Sequence, residues 1–168
     1  GVEEACRQIV ELQALGLELP KVSVNVSALQ FNPAFIGRVS EVLTKTGLRP
    51  MRLQLELTEG IMLDDTEATI RALSHLKDLG VRLSIDDFGT GYSSLSYLSR
   101  FPLDELKIDR SFVIDFDKSE NDASLVIAII AMAKSMRLHL VAEGVETHEQ
   151  YHFLRNNGAS VIQGYLFS

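Results

Sequence analysis

At 168 residues, 46% hydrophobic and 23% charged, the chain is long enough for one well-cored domain and too short for two. A formal net charge of -7 excludes a broad basic surface for a nucleic-acid polymer but leaves room for a small phosphorylated ligand gripped locally, for instance through metal. The single cysteine, Cys6, excludes a disulfide framework and a cysteine-rich zinc site, and fits a reducing, cytoplasmic compartment.

In chain order, a helix over 2–15 opens an alternation of period-2 and helical stretches. Strands are predicted over 21–27, 52–58, 81–86, 105–109, 138–143 and 160–164. Between them lie helices over 33–46, 64–79, 93–100, 120–136 and 147–156. Asn32 before Pro33 supplies an N-cap and first helical residue, and Gly47 and Gly80 are C-terminal stops. Thr147 and Gln150 form the ends of a capping box. The apolar run 125–133 is far short of the roughly 20 residues of a membrane-spanning helix and reads as a buried helix face. No stretch reads as a signal peptide or linker; anchoring of a longer parent protein in a membrane is left open.

Repeated βα units predict a parallel sheet covered by helices, either an open doubly wound sheet or a (β/α) barrel. Side-chain parity favours the barrel. Val22, Val24 and Val26 share one face of their strand, and Ser23, Asn25 and Ser27 the other. Leu53, Leu55 and Leu57 oppose Gln54, Glu56 and Thr58; Leu83 and Ile85 oppose Ser84 and Asp86; Leu106 and Ile108 oppose Glu105, Lys107 and Asp109. A central strand of an open sheet is apolar on both faces, whereas here the polar face suits a barrel interior near its mouth.

The adjacent carboxylates of Asp86 and Asp87 repel each other, which raises the question of a bound divalent cation. Asn25, Glu56, Asp86, Lys107 and Glu143 each fall on the polar face near the C-terminal end of a different strand, where parallel barrels gather catalytic groups. Three carboxylates and an amide oxygen form a hard site suited to Mg²⁺ or Mn²⁺. Asp87 has the opposite parity, but at a strand end the chain can turn it toward a second cation. Two ions bridged by a carboxylate suit phosphodiester hydrolysis, with Lys107 orienting the nucleophile or offsetting charge. Taken singly, a strand-end carboxylate is more often a solvated loop residue or a cap. The repeated parity is what makes the group specific.

Weaker signals have structural readings. Gly89-Thr90-Gly91 reads as a mobile loop beside the site, since no Walker lysine follows. His148-Glu149-Gln150-Tyr151-His152 matches the zinc-binding HExxH pattern, but it sits in the opening turns of an outer helix and reads as a capped surface helix. His75 and His139 read as structural.

Together Ser23-Val24-Asn25-Val26-Ser27, Leu55-Glu56-Leu57-Thr58-Glu59, Asp86-Asp87-Phe88-Gly89-Thr90-Gly91-Tyr92-Ser93-Ser94-Leu95, Leu106-Lys107-Ile108-Asp109, Ala142-Glu143-Gly144-Val145-Glu146 and Gln163-Gly164-Tyr165 resemble the EAL-domain family of bacterial cyclic di-GMP phosphodiesterases. The resemblance implies a modified TIM-type (β/α)8 barrel that uses two Mg²⁺ or Mn²⁺ ions to hydrolyse cyclic di-GMP to linear pGpG. By motif position, Asn25, Glu56 and Asp86 would bind one metal, and Asp86 would bridge to a second held by Asp87 and Glu143. Lys107 would position the attacking water and Glu143 would be its general base. Glu59 would anchor the loop from Asp87 to Ser94, which in the family couples dimer contacts to metal binding. Gln163, Asp109 and Glu146 would support the site or the substrate. A homodimer and an upstream sensory or cyclase domain are further expectations from the resemblance.

In the family the name-giving Glu-Ala-Leu motif supplies another ligand to the first metal and precedes a substrate-contacting arginine. Nothing in residues 1–20 matches it; Glu3-Glu4-Ala5 and Glu18-Leu19 lie in or beside the first helix. The Arg-Pro that usually follows the last motif is also missing, and fewer strands are counted than a closed barrel has. The expectation is therefore a barrel incomplete at its N-terminus and clipped at its C-terminus. Two functions stay open: a phosphodiesterase, or an EAL-like domain that binds cyclic di-GMP or regulates a partner domain without cleaving it.

Overall fold

The structure, a computed structural model, describes residues 1–17, 21–63, 67–88, 98–109, 111–112, 120–159 and 161–162. It divides into two compact units, Gly1–Ser84 with Ser94–Pro102 and Ile85–Ser93 with Leu103–Ser168. The first unit contains α1 (Val2–Ala14), β1 (Val22–Val26), α2 (Pro33–Thr46), β2 (Leu53–Thr58), α3 (Glu67–Leu79) and the start of β3 (Arg82–Phe88). The second contains the rest of β3, then β4 (Glu105–Ile108), α4 (Glu120–Ser135), β5 (His139–Ala142), α5 (His148–Asn156) and β6 (Val161–Ile162).

In the first unit the strands follow one another as β1-β2-β3, with β1 and β2 parallel. In the second they run β3-β4-β5-β6, and both the β4/β5 and β5/β6 pairs are parallel. Parallel neighbours joined through a helix are the βα repeat expected from the sequence.

Local chemistry sets the helix ends. Asn32 is extended and its Oδ1 accepts the Phe35 N–H at 3.0 Å, Pro33 takes the first turn, and Gly47 closes α2 at φ 74. Between these caps Phe35, Val39, Val42 and Leu43 recur on one face and are buried. Asn32→Ala should cost about 1 kcal/mol, because the Phe35 N–H loses its acceptor. A urea midpoint unchanged by Asn32→Ala would refute this account of the cap.

The core of the first unit is built on Leu53, Leu55 and Leu57 of β2, all 0% exposed, with Leu73 and Leu76 of α3 equally buried. In the second unit Leu106, Ile108 and Leu140 are buried on the strands, and Val126, Ile129, Ile130 and Ala133 are buried on α4.

Several elements differ from expectation. β3 runs on to Phe88, so both aspartates lie inside the strand; the Asp109 N–H donates to the Phe88 carbonyl at 3.4 Å, which extends the pairing there. The run 125–133 is not uniformly buried: Leu125 and Ile127 are 43% and 42% exposed, since a helix apolar all round can turn only one side inward. Short 3-10 turns over Pro50–Arg52 and Glu59–Leu63 precede and follow β2. Most of the helix predicted over 93–100, and Gln163-Gly164-Tyr165, lie outside the described residues. No helix among the described residues is long and apolar enough to cross a membrane.

Candidate active site

In the first unit the parallel register of β1 on β2 sets Asn25 opposite Glu56 and Ser23 opposite Gln54. Registered partners on adjacent strands share a face about 4.8 Å apart, so the Asn25 amide and the Glu56 carboxylate stand side by side. Glu56 is 7% exposed, whereas Asn25 is exposed. One layer below, Gln54 is fully buried and accepts a hydrogen bond from Lys21 Nζ at 2.9 Å. Glu59 is buried at the start of the 3-10 turn that directly follows β2. On β3, Ser84 shares its face with Asp86, and its buried Oγ has no hydrogen-bond partner among the described residues.

In the second unit β4 and β5 pair with Lys107 opposite Val141. Glu143 lies two residues beyond Val141 and therefore on the same side. Lys107 Nζ sits 3.2 Å from Glu143 Oε1, with side chains 12% and 40% exposed. The lysine is largely enclosed, while the carboxylate stays partly open to a ligand or water. Asp86, within β3, is half-buried. The backbone of Asp87 is in the strand, and its side chain lies outside the described set.

Two further expected site residues have local roles. Asp109 Oδ2 accepts from the Ser111 N–H at 3.0 Å and from the Ser111 hydroxyl, so its carboxylate caps the turn after β4. The Glu146 N–H donates to Gln150 Oε1 at 2.8 Å, beside the Thr147 N–H at 3.2 Å. The Gln150 N–H in turn donates to Thr147 Oγ1 at 3.1 Å, which completes the predicted capping box. This box fixes the path of the Glu143-to-Glu146 segment into α5. Gln163 lies outside the described residues.

The donor set fits a hard divalent ion: amide and carboxylate oxygens, with no thiolate among them. Among the described residues no three His, Cys, Asp or Glu side chains lie close enough together to hold an ion by themselves. His148 and His152 are both exposed on α5, whose start carries the Thr147 cap. His75 and His139 are exposed. Burial pushes the Cys6 thiol above its ordinary pKa, which disfavours the thiolate and makes it a poor nucleophile.

Sequence reasoning did not single out Gln54 or Glu105 as site residues, both of them buried polar groups. Gln54 and Glu105 share the inward parity of Glu56 and Lys107, and that parity is the signal that could have found them.

Comparison with known proteins identifies the family. The family model described as EAL domain matches residues 2–168. The chain is 48% identical over 168 residues to the cyclic di-GMP phosphodiesterase NbdA of Pseudomonas aeruginosa, covering 99% of this chain and 22% of that protein. It therefore spans about a fifth of the length of this curated relative. Among solved structures, the PaMucR phosphodiesterase in its c-di-GMP complex has a TM-score of 0.90 at 43% identity, covering 99% of this chain and 68% of that one. The manganese and cyclic di-GMP complex of Klebsiella pneumoniae BlrP1 has a TM-score of 0.83 at 32% identity, covering 99% and 43%. The fold class is thus the TIM-like barrel α/β class read from strand parity. With a family match along nearly the whole chain, this chain belongs to the EAL domain family.

Proposed function

We propose that the chain is the catalytic portion of a divalent-metal-dependent phosphodiesterase that hydrolyses cyclic di-GMP to linear pGpG. The observation that carries the reading is the Lys107–Glu143 pair at 3.2 Å, a cation beside the carboxylate expected to act as base, in a chain 48% identical to a named cyclic di-GMP phosphodiesterase. By motif position Asn25, Glu56, Asp86, Asp87 and Glu143 are the residues that would hold the ions. Two Mg²⁺ or Mn²⁺ ions, when bound, supply Lewis acidity toward the phosphoryl oxygens and the attacking water. The manganese complex of BlrP1 supports a divalent requirement.

The chain's own groups then have distinct tasks. Glu143 accepts the proton of the water whose oxygen bonds to phosphorus. Lys107 orients that water and offsets the charge that builds on the phosphoryl group. The P–O3′ bond breaks, the 3′ oxygen takes a proton, and a 5′-phosphate remains on the opened dinucleotide. Glu59 anchors the segment that follows β3, and Gln163, Asp109 and Glu146 support the site. We place the domain in the cytoplasm, as one module of a signalling protein that works as a homodimer.

The test uses a protein carrying the family's Glu-Ala-Leu segment ahead of residue 1, incubated with cyclic di-GMP and Mg²⁺ and analysed by chromatography. Release of pGpG that stops on chelation supports the reading. Tight binding without turnover overturns it in favour of a binding module.

A further inference from the structure

Helices α1, α2, α3 and α5 each finish at a glycine in the left-handed region, at Gly16, Gly47, Gly80 and Gly158. Helix α4 finishes instead at Arg137, with φ 58, the one described non-glycine residue at positive φ. Its turn has the Schellman pattern: the Arg137 N–H donates to the Lys134 carbonyl at 3.2 Å and the Leu138 N–H to the Ala133 carbonyl at 2.9 Å. The same two bonds close α5 around Gly158, from Gly158 to Arg155 and from Ala159 to Leu154. The turn needs glycine's conformation, and an arginine there is strained. Such strain is a reason to look for function.

Arg137 lies at the edge of an open cavity of about 290 Å³, shared with Lys134 and His139. All three side chains are exposed, and among the described residues none makes a side-chain hydrogen bond or ion pair. Among the described residues no acidic side chain lines the cavity, and its floor includes the apolar Ile130 and Leu138. In a chain of net charge -7, a guanidinium and an ammonium with an imidazole beside them, set over an apolar floor, are out of keeping with the rest of the sequence. Lys134, in the last helical turn, would by itself complement the helix dipole. Arg137 is beyond the helix, and that role does not require it.

We propose that this cavity docks an acidic peptide segment of a partner protein, with an apolar side chain on Ile130 and Leu138 and flanking carboxylates on Arg137, Lys134 and His139. A guanidinium grips a carboxylate through two parallel hydrogen bonds. A phosphate fits less well. Phosphate sites draw on free backbone N–H groups, and here those of Arg137 and Leu138 are spent in the cap while that of His139 donates to the Asp104 carbonyl at 3.0 Å.

The test is fluorescence anisotropy with the 168-residue chain and a labelled Glu-Asp-Leu-Asp-Glu peptide at low ionic strength. Saturable binding is expected, weakened at least about fivefold by Arg137→Gln, by Arg137→Gly or by replacing the peptide leucine with serine. Arg137→Gly should at the same time raise Tm, because glycine relieves the left-handed backbone, whereas Arg137→Gln should leave Tm unchanged. Loss of binding together with gain of stability in one variant is not expected of an arginine that serves the fold alone. The proposal is overturned if the peptide shows no saturable binding, if either variant binds it as tightly as the parent chain, or if Arg137→Gly lowers Tm. It is equally overturned if inorganic phosphate competes fully at concentrations where chloride does not, which would mark a small-anion site.

Discussion

Glu143→Gln is expected to lower Mg²⁺-dependent pGpG release by about 10²- to 10⁴-fold, the range that removal of a general base spans. Glutamine keeps the shape of the side chain and one oxygen donor but cannot take the proton of the attacking water. The loss should therefore appear in kcat, with KM changed much less. The same substitution removes one ionic partner of Lys107, whose side chain is only 12% exposed. Because Glu143 is 40% exposed and well screened, the cost in stability should stay within about 1 kcal/mol. Exposed Glu149, in the first turn of α5, serves as the control, and Glu149→Gln should leave turnover unchanged within about twofold. Equal losses for Glu143→Gln and Glu149→Gln would remove Glu143 from the reaction. A Glu143→Gln chain that retains full turnover would do the same.

Much of this organisation was legible because the side-chain period of a strand is short and strict. The alternation from Val22 to Val26 and from Leu53 to Thr58 named both faces, and the register then set Asn25 against Glu56. Asn32-Pro33 and Thr147 with Gln150 announced helix starts, since their side chains satisfy N–H groups that the helix itself leaves open. Other features had no such local signature. The run Leu125 to Ala133 is apolar around its whole circumference, so no period says which side turns inward; packing selected Val126, Ile129, Ile130 and Ala133 and left Leu125 and Ile127 outside. Aspartate is a poor strand former, so the continuation of β3 through Asp87 to Phe88 ran against propensity. Asp109 shared the parity of Lys107, yet Ser111 two residues on takes its carboxylate, and that short-range pattern was open to recognition as an Asx-type turn. Nothing in the sequence marked Arg137 as left-handed, because the residue that normally declares that conformation is glycine.

Leu55→Ala should destabilise the chain by about 2–5 kcal/mol, the range for emptying a leucine-sized volume in a packed interior. Leu55 is 0% exposed and stands between Gln54 and Glu56, with Leu53 and Leu57 equally buried on either side. Few neighbours on a strand can close such a gap without moving the backbone, so the upper half of the range is the better expectation. Leu55→Met nearly conserves volume and should cost less than about 1.5 kcal/mol. Urea unfolding followed by far-UV circular dichroism distinguishes the two, and a loss below about 1 kcal/mol for Leu55→Ala would show that this face is not packed as described. The consequence reaches the site through register. A slip of one residue between β1 and β2 would turn Leu55 out of the core and carry Glu56 away from Asn25 to the opposite face. The apolar face of β2 therefore holds an amide and a carboxylate side by side on the other face.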